Sequence, residues 1–201
     1  MIYTFLTIVL VLGLIIFLTS CGNKKTTPEN EKETTQDTAM QKPHQQTDNP
    51  YDGLRKTALT TTPDQLGLKM SNDKTEVYGV VMDWEMGGGF ATTVSFKTGD
   101  TSMYTSSGGG VIGGGQSPNV STASKKLVST AQNYLKNAVK TDSTSLPETD
   151  HVRFYLLTNK GIYVGQEVMD NFKNHSSKWY GLFEEANKVI TELRQANPNG
   201  D

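Results

Sequence analysis

Hydrophobic and polar residues alternate in several stretches of the chain, which is typical of strands with one buried face. Between residues 76 and 86 the apolar side chains occupy every second position: Tyr78, Val80, Met82, Trp84 and Met86. The alternation continues in residues 90–96 and 101–106, on either side of Lys97-Thr98-Gly99-Asp100, which suits a tight hairpin turn. These segments predict three strands of an antiparallel meander.

A second hairpin is predicted later in the chain. Residues 152–157 and 162–168 read as strands, and the Thr158-Asn159-Lys160-Gly161 segment between them offers Asn and Gly for positive φ angles. Apolar side chains recur instead at helical spacing in three further segments, residues 51–66, 120–139 and 176–196. This order predicts an α+β fold, in which an antiparallel sheet of about five strands carries two to three helices packed mainly on one face.

The first fifty residues follow a different pattern. Residues 2–18 are almost entirely apolar and uncharged, which is typical of a signal peptide core and is also near the minimum length of a membrane span. Residues 22–50 are polar and offer too little apolar surface to offset the entropy cost of ordering them. They predict a disordered tether ahead of the domain.

Leu18-Thr19-Ser20-Cys21 directly follows the apolar run and resembles the lipobox of bacterial lipoprotein precursors. The resemblance implies cleavage before Cys21, a diacylglycerol thioether on its sulfur and acylation of its new amine, and two or more chains give stable anchoring. Cys21 is the only cysteine, so no internal disulfide can form. No Lys or Arg precedes the apolar run, so an uncleaved single-pass anchor with a cytoplasmic domain stays open as an alternative.

The chain is therefore predicted to consist of a signal peptide (1–20), a lipidated N-terminus and tether (21–50) and one globular α+β domain (51–201). The formal net charge of −2 and the mixed charges of the tether argue against nucleic acid as a partner. The predicted partner is the membrane, through lipidated Cys21, with an envelope protein or glycan as a further partner. We expect a lipid-anchored, extracytoplasmic domain on the cell membrane or outer membrane.

One segment of the domain holds six glycines in eight positions and runs into the predicted central helix. Beside a purely structural role, two interpretations stay open: a small-anion site at the helix N-terminus, or a mobile recognition lid. The segment lacks the Gly-Lys-Ser/Thr ending of a phosphate-binding P-loop. The candidate ligand-binding residues are Ser107, Gly108, Gly109, Gly110, Gly113, Gly114, Gly115 and Ser117.

The pattern indicates no convergent catalytic group. We expect His151 and His175, in polar surroundings, to be capping or solvated side chains, and Trp179 to belong to the core. Asp83 and Glu85 alternate with the apolar side of their strand, so they are expected to be solvent-facing charges rather than an acid/base pair. Ligand spacing in the loop before His151 is not diagnostic of a metal. No catalytic residue, metal or cofactor is predicted.

Three segments of the domain resemble a family of small bacterial proteins without an assigned activity, through the pattern TSxY…SGGGxIGGG…RFYxLT. In this chain the pattern falls on Thr101–Tyr104, Ser107–Gly115 and Arg153–Thr158. The resemblance implies a shared fold and a purposeful glycine segment, and transfers no catalytic residue. Together these features predict a non-enzymatic binding or accessory domain in the envelope. The alternative is a small-anion-binding protein or enzyme that uses residues 107–117.

Overall fold

The computed structural model describes residues 50–198, so the predicted signal peptide, Cys21 and nearly all of the tether lie outside the described residues. Within this part, seven strands form one antiparallel sheet in the order β4-β3-β2-β1-β6-β7-β5. The strands are β1 (Val77–Glu85), β2 (Phe90–Phe96), β3 (Thr101–Thr105), β4 (Gly110–Val111), β5 (Val139–Thr141), β6 (His151–Thr158) and β7 (Gly161–Val168).

The predicted α+β class and antiparallel sheet are confirmed, and the sheet is wider than the expected five strands. Five strands lie in the segments where alternation predicted them, including both hairpins. The two additional strands, β4 and β5, are its edges, with two and three residues. Strands this short contain too few positions for an alternating pattern to be recognised.

Four α-helices lie in the described part: α1 (Pro50–Thr60), α2 (Pro118–Ala131), α3 (Met169–Lys173) and α4 (Tyr180–Ala196). The helix predicted for residues 120–139 ends at Ala131, where the backbone tightens into a 3-10 helix before β5. Tyr134 and Leu135 in that turn still pack against the core, so apolar spacing alone could not mark the end. Among residues 50–198, no helix is both long and apolar enough to cross a bilayer.

The two faces of the sheet are covered by different elements. Helices α2 and α4 pack on one face, here called the two-helix face, together with Phe172 of α3. Trp179 lies at its centre, 1% exposed, between the rings of Tyr134 and Phe154 with both centroids at 5.6 Å. Its predicted core role is confirmed. Helix α1 packs on the opposite, one-helix face through Tyr51 and other apolar side chains.

Helix α1 covers only part of the one-helix face, and Leu66, Leu68, Met70 and Leu146 pack on other parts of it. Seven strands spaced about 4.8 Å apart make a sheet roughly 30 Å wide, and a helix with its side chains is about 10 Å across. Grooves therefore remain on both sides of α1. One lies against Ile162 of β7, and the other lies against Tyr104 of β3 and the glycine turn that follows it.

Candidate ligand-binding site

A row of polar side chains, which ends at Gly110, crosses the one-helix face beneath α1. Strand register places these residues opposite one another from one edge toward the other: Gly110, Tyr104, Thr92, Asp83, Arg153 and Gln166. The expectation that Asp83 and Glu85 face solvent is wrong, because the two residues are 0% and 6% exposed. Alternation assigned them to the correct side of the strand, but it carried no information about what covers that side.

The central carboxylate, Asp83, is paired with Arg55 of α1. The Nε and Nη2 groups of Arg55 donate to Oδ2 of Asp83 at 2.9 and 2.6 Å, and Thr92 donates to Oδ1 at 2.6 Å. Burial lowers the pKa of Arg55, but the hydrogen bond and charge of Asp83 outweigh it, so the pKa is raised overall. Because a buried charge needs a partner, this ion pair fixes the position of α1 on the sheet.

Tyr51 of α1 extends this network through Thr92. The hydroxyls of Tyr51 and Thr92 lie 2.8 Å apart. The single hydroxyl proton of Thr92 is committed to Asp83, so Tyr51 is the donor in this contact. Burial raises the pKa of Tyr51 to about 12, which keeps the phenol protonated at physiological pH.

Tyr104, the next residue of the row, has a hydroxyl without a partner. Its side chain is 4% exposed, and its oxygen forms no hydrogen bond with any residue of the described part. Its ring meets that of Tyr51 edge-on, with centroids 5.8 Å apart. Burial, and then the charge of Asp83, raise the pKa of Tyr104. The group is therefore a protonated donor without an acceptor, and such an unmade bond costs about 1–3 kcal/mol.

Tyr104 also lines an open-sided cavity of about 290 Å³ between α1 and the first glycine triplet. Nine residues of the described part line it, and none of these has a charged side chain: Pro50, Tyr51, Leu54, Tyr104, Thr105, Gly108, Gly109, Gly110 and Ile112. The site therefore joins three predicted candidates, Gly108 to Gly110, to two tyrosines that the pattern did not single out.

The first triplet forms a tight turn between β3 and β4. Gly108, Gly109 and Gly110 have φ angles of 99°, 83° and 145°, a succession that only glycine adopts readily. Thr105 closes the turn by donating to the Gly108 carbonyl at 2.5 Å, and its hydroxyl lies 3.1 Å from that of Ser107. Ser107 thus belongs to this turn, and the structure does not place it on the cavity wall.

The second triplet lies elsewhere and has close neighbours. A Cβ atom on Gly114 would lie 2.2 Å from Leu193 of α4, and one on Gly115 would lie 2.5 Å from the Gly99 carbonyl. Ser117 precedes α2 but its side chain caps no amide. The structure therefore separates Gly113, Gly114, Gly115 and Ser117 from the cavity and places Gly114 and Gly115 in packing contacts.

Part of this arrangement could have been read from the sequence. Alternation assigned Asp83 to one face of β1, and the meander places β1, β2 and β3 side by side. Which polar residues face each other depends on the exact hairpin registers, and a shift of one residue would turn the side chains of a strand to the other face. The contribution of α1 could not be read from the sequence, because no local pattern places Tyr51 and Arg55 over that row.

Glu85 and the histidines have structural contacts. The carboxylate of Glu85 accepts the Gly88 amide at 2.6 Å and the Asp150 amide at 2.8 Å, and these backbone bonds lower its pKa. His151 Nδ1 lies 2.7 Å from the Thr149 carbonyl oxygen, and the His175 ring packs on Tyr180 at 4.5 Å. Over residues 50–198, no three His, Cys, Asp or Glu side chains are grouped to hold a metal ion.

Comparison of the chain with family models, with curated proteins and with solved structures gives no match in any of the three. Its function is therefore inferred from its own residues.

Proposed function

We propose that the chain is a lipid-anchored protein of the cell envelope whose domain binds a ligand in the cavity between α1 and the Gly108–Gly110 turn. One observation carries the binding proposal: the buried hydroxyl of Tyr104, without a partner in the described part, belongs to a residue in the wall of that cavity. Buried polar groups are almost always hydrogen-bonded. In the described part, the buried hydroxyl of Thr93 also lacks a partner, but only Tyr104 of these two residues lines the cavity.

The shape of the cavity supports this proposal. Small-molecule sites are concave, mostly apolar and supplied with a few placed polar groups, and their volumes begin near 300 Å³. A cavity of about 290 Å³ suits a fragment-sized molecule, or one chemical group of a larger envelope polymer. The ligand is thus expected to be small where it contacts the domain.

Binding is favoured over catalysis by the residues that line the cavity. Among the described residues of its wall, the side-chain polar atoms are the hydroxyls of Tyr51, Tyr104 and Thr105, and none is a carboxylate, imidazole, amine or thiol. A hydroxyl needs an adjacent base to become a nucleophile, and burial keeps the two phenols protonated. The alternative of a small-anion site at the start of α2 gains no support from the packed surroundings of Gly114 and Gly115.

The binding proposal is tested with a variant that fills the cavity. Ile112 lines it and is 67% exposed, whereas Val139 is 70% exposed in the opposite edge strand and does not line it. Wild type, Ile112→Trp and Val139→Trp are incubated with low-mass and polymer fractions of an envelope extract, and retained molecules are identified by native mass spectrometry. Wild type and Val139→Trp should retain the same molecule and Ile112→Trp should lose it. Equal retention by all three, or by none, contradicts the proposal.

The anchoring part rests on Cys21 and is tested separately. Mass spectrometry of the purified mature protein should show an N-terminus at Cys21 that carries diacylglycerol, and Cys21→Ser should remain unprocessed. An intact Met1 would favour the uncleaved single-pass anchor instead.

A further inference from the structure

We infer that the ligand is uncharged and presents an oxygen acceptor to the Tyr104 hydroxyl from an otherwise apolar body. This inference rests on the proposed function and names the chemical class that the cavity takes. Ketone, amide, ester and ether groups belong to that class, and carboxylates, phosphates and ammonium groups do not.

No acceptor of the network beneath α1 lies within hydrogen-bond reach of the Tyr104 hydroxyl. Oδ2 of Asp83 accepts two bonds from Arg55, and Oδ1 accepts one from Thr92. The phenol of Tyr104 remains protonated because burial and the nearby Asp83 charge raise its pKa. A group that can donate but finds no acceptor in its surroundings selects a ligand that supplies an oxygen lone pair.

Charge complementarity disfavours an ionic ligand. An anion would accept a hydrogen bond from the Tyr104 hydroxyl, but no lysine, arginine or histidine among the described residues of the wall balances its charge. The nearest such group in the network, Arg55, is committed to Asp83 at 2.6 Å. A cation would find no carboxylate among the described residues of the wall and could not accept a hydrogen bond from Tyr104. An uncharged ligand avoids both penalties.

The ligand must also open a way to the hydroxyl, because the Tyr104 oxygen is closed off from solvent. The exposed residues of the described wall are Pro50, Gly108 to Gly110 and Ile112. The glycines have no side chains to repack, so their turn can be displaced by breaking the few hydrogen bonds that join Thr105 to Gly108 and Gly109. We therefore expect the recognition lid to be the first triplet alone.

The test uses three probes with one ring size: cyclohexanone, methylenecyclohexane and cyclohexanecarboxylate. Cyclohexanone has a neutral oxygen acceptor, methylenecyclohexane has no acceptor, and cyclohexanecarboxylate carries a negative charge. Each is titrated into the full lipoprotein in phospholipid nanodiscs, labelled with 3-fluorotyrosine and followed by fluorine NMR. Tyr51 and Tyr104 both line the cavity, so the Tyr51 resonance still reports occupancy when Tyr104 is replaced.

Cyclohexanone should shift both resonances saturably, and Tyr104→Phe should weaken its binding by about tenfold, the value of one lost hydrogen bond. Methylenecyclohexane should bind wild type and Tyr104→Phe equally weakly, and the carboxylate should leave both resonances unchanged. Nonspecific partition of probes into lipid is the same for both proteins and is removed by this comparison.

Tyr78→Phe is the matched control. Tyr78 is buried on the same face, but its hydroxyl donates to the Thr61 carbonyl at 2.7 Å. Its replacement should lower stability and leave cyclohexanone binding unchanged. Tyr104→Phe removes an unsatisfied hydroxyl, so it should leave the unfolding midpoint equal or higher, and its loss of binding is then not a loss of fold.

Cyclohexanone binding that does not depend on Tyr104, or tighter binding of the carboxylate, overturns the inference. The proposed function is judged independently by the envelope extract. A charged molecule retained there by wild type and lost in Ile112→Trp would preserve the binding proposal and refute the inference, whereas no retained molecule refutes the binding proposal itself.

Discussion

The two-helix face of the sheet is sealed by apolar side chains from α2 and α4 that surround Trp179. The one-helix face is instead organised by a buried ion pair and a chain of hydroxyls beneath α1. Apolar packing stabilises the fold wherever two surfaces fit closely, whereas buried polar groups stabilise it only when each has a hydrogen-bond or ionic partner in the right position. This contrast explains the position of the cavity: α1 is held at fixed points along one row, and the end of the row at Tyr104 remains open.

The largest expected loss of stability comes from a substitution on the two-helix face. Trp179 covers Gly165 so closely that a Cβ atom there would lie 1.8 Å from its ring. Trp179→Ala should lower the free energy of unfolding by about 4 kcal/mol, through lost burial and the cavity left behind. Denaturant titration of the full chain measures it. Met86→Ala, at a side chain 53% exposed, is the control, and an equal loss in both variants would contradict the comparison.

On the one-helix face, a smaller loss of stability is expected from breaking the buried ion pair. Arg55→Met leaves Asp83 buried without its counterion and should cost about 3 kcal/mol. The second replacement in Arg55→Met/Asp83→Leu removes that orphaned charge, so the double variant should regain most of the loss. Unfolding midpoints of the single and double variants decide this. If the double variant is no more stable than Arg55→Met, the ion pair does not act as a unit.

Local patterns were sufficient for most of the fold and for only half of the candidate site. Alternation and turn residues predicted five strands and both hairpins, because each depends on a few neighbouring residues. The glycine turn beside the cavity was also marked by composition. The burial of Asp83 was missed, since it results from Arg55 of α1 lying across the sheet, a contact between residues 28 positions apart. The separate roles of the two glycine triplets likewise depend on tertiary neighbours.

The second glycine triplet should behave as part of the packing that leads into α2. A Cβ atom on Gly115 would meet backbone atoms of Gly99 and Asp100, which cannot rotate away as a flexible side chain could. Gly115→Ala should therefore cost about 2 kcal/mol of stability. Gly53→Ala is the control: it has open space in helix α1 and should gain up to about 1 kcal/mol. Equal midpoints for the two variants would show that the close approach carries no energy.

The smallest expected effect is a pH-dependent contribution to stability on the one-helix face. The amides of Gly88 and Asp150 hold the pKa of Glu85 below its usual 4.5 in the folded protein. The stability they add is therefore present above pH 4.5 and is lost as pH falls through the lowered folded pKa. Glu85→Gln should lower the unfolding midpoint at neutral pH and approach the wild-type midpoint in acid.

Glu148→Gln, at an exposed glutamate, controls for charge removal and should follow the wild type. The loss of stability from Trp179→Ala should instead be the same at both pH values, because the rings that Trp179 contacts, Tyr134 and Phe154, do not titrate between acid and neutral pH. If the loss of stability in Trp179→Ala depends on pH, or if the loss in Glu85→Gln does not, the two faces do not differ in this way.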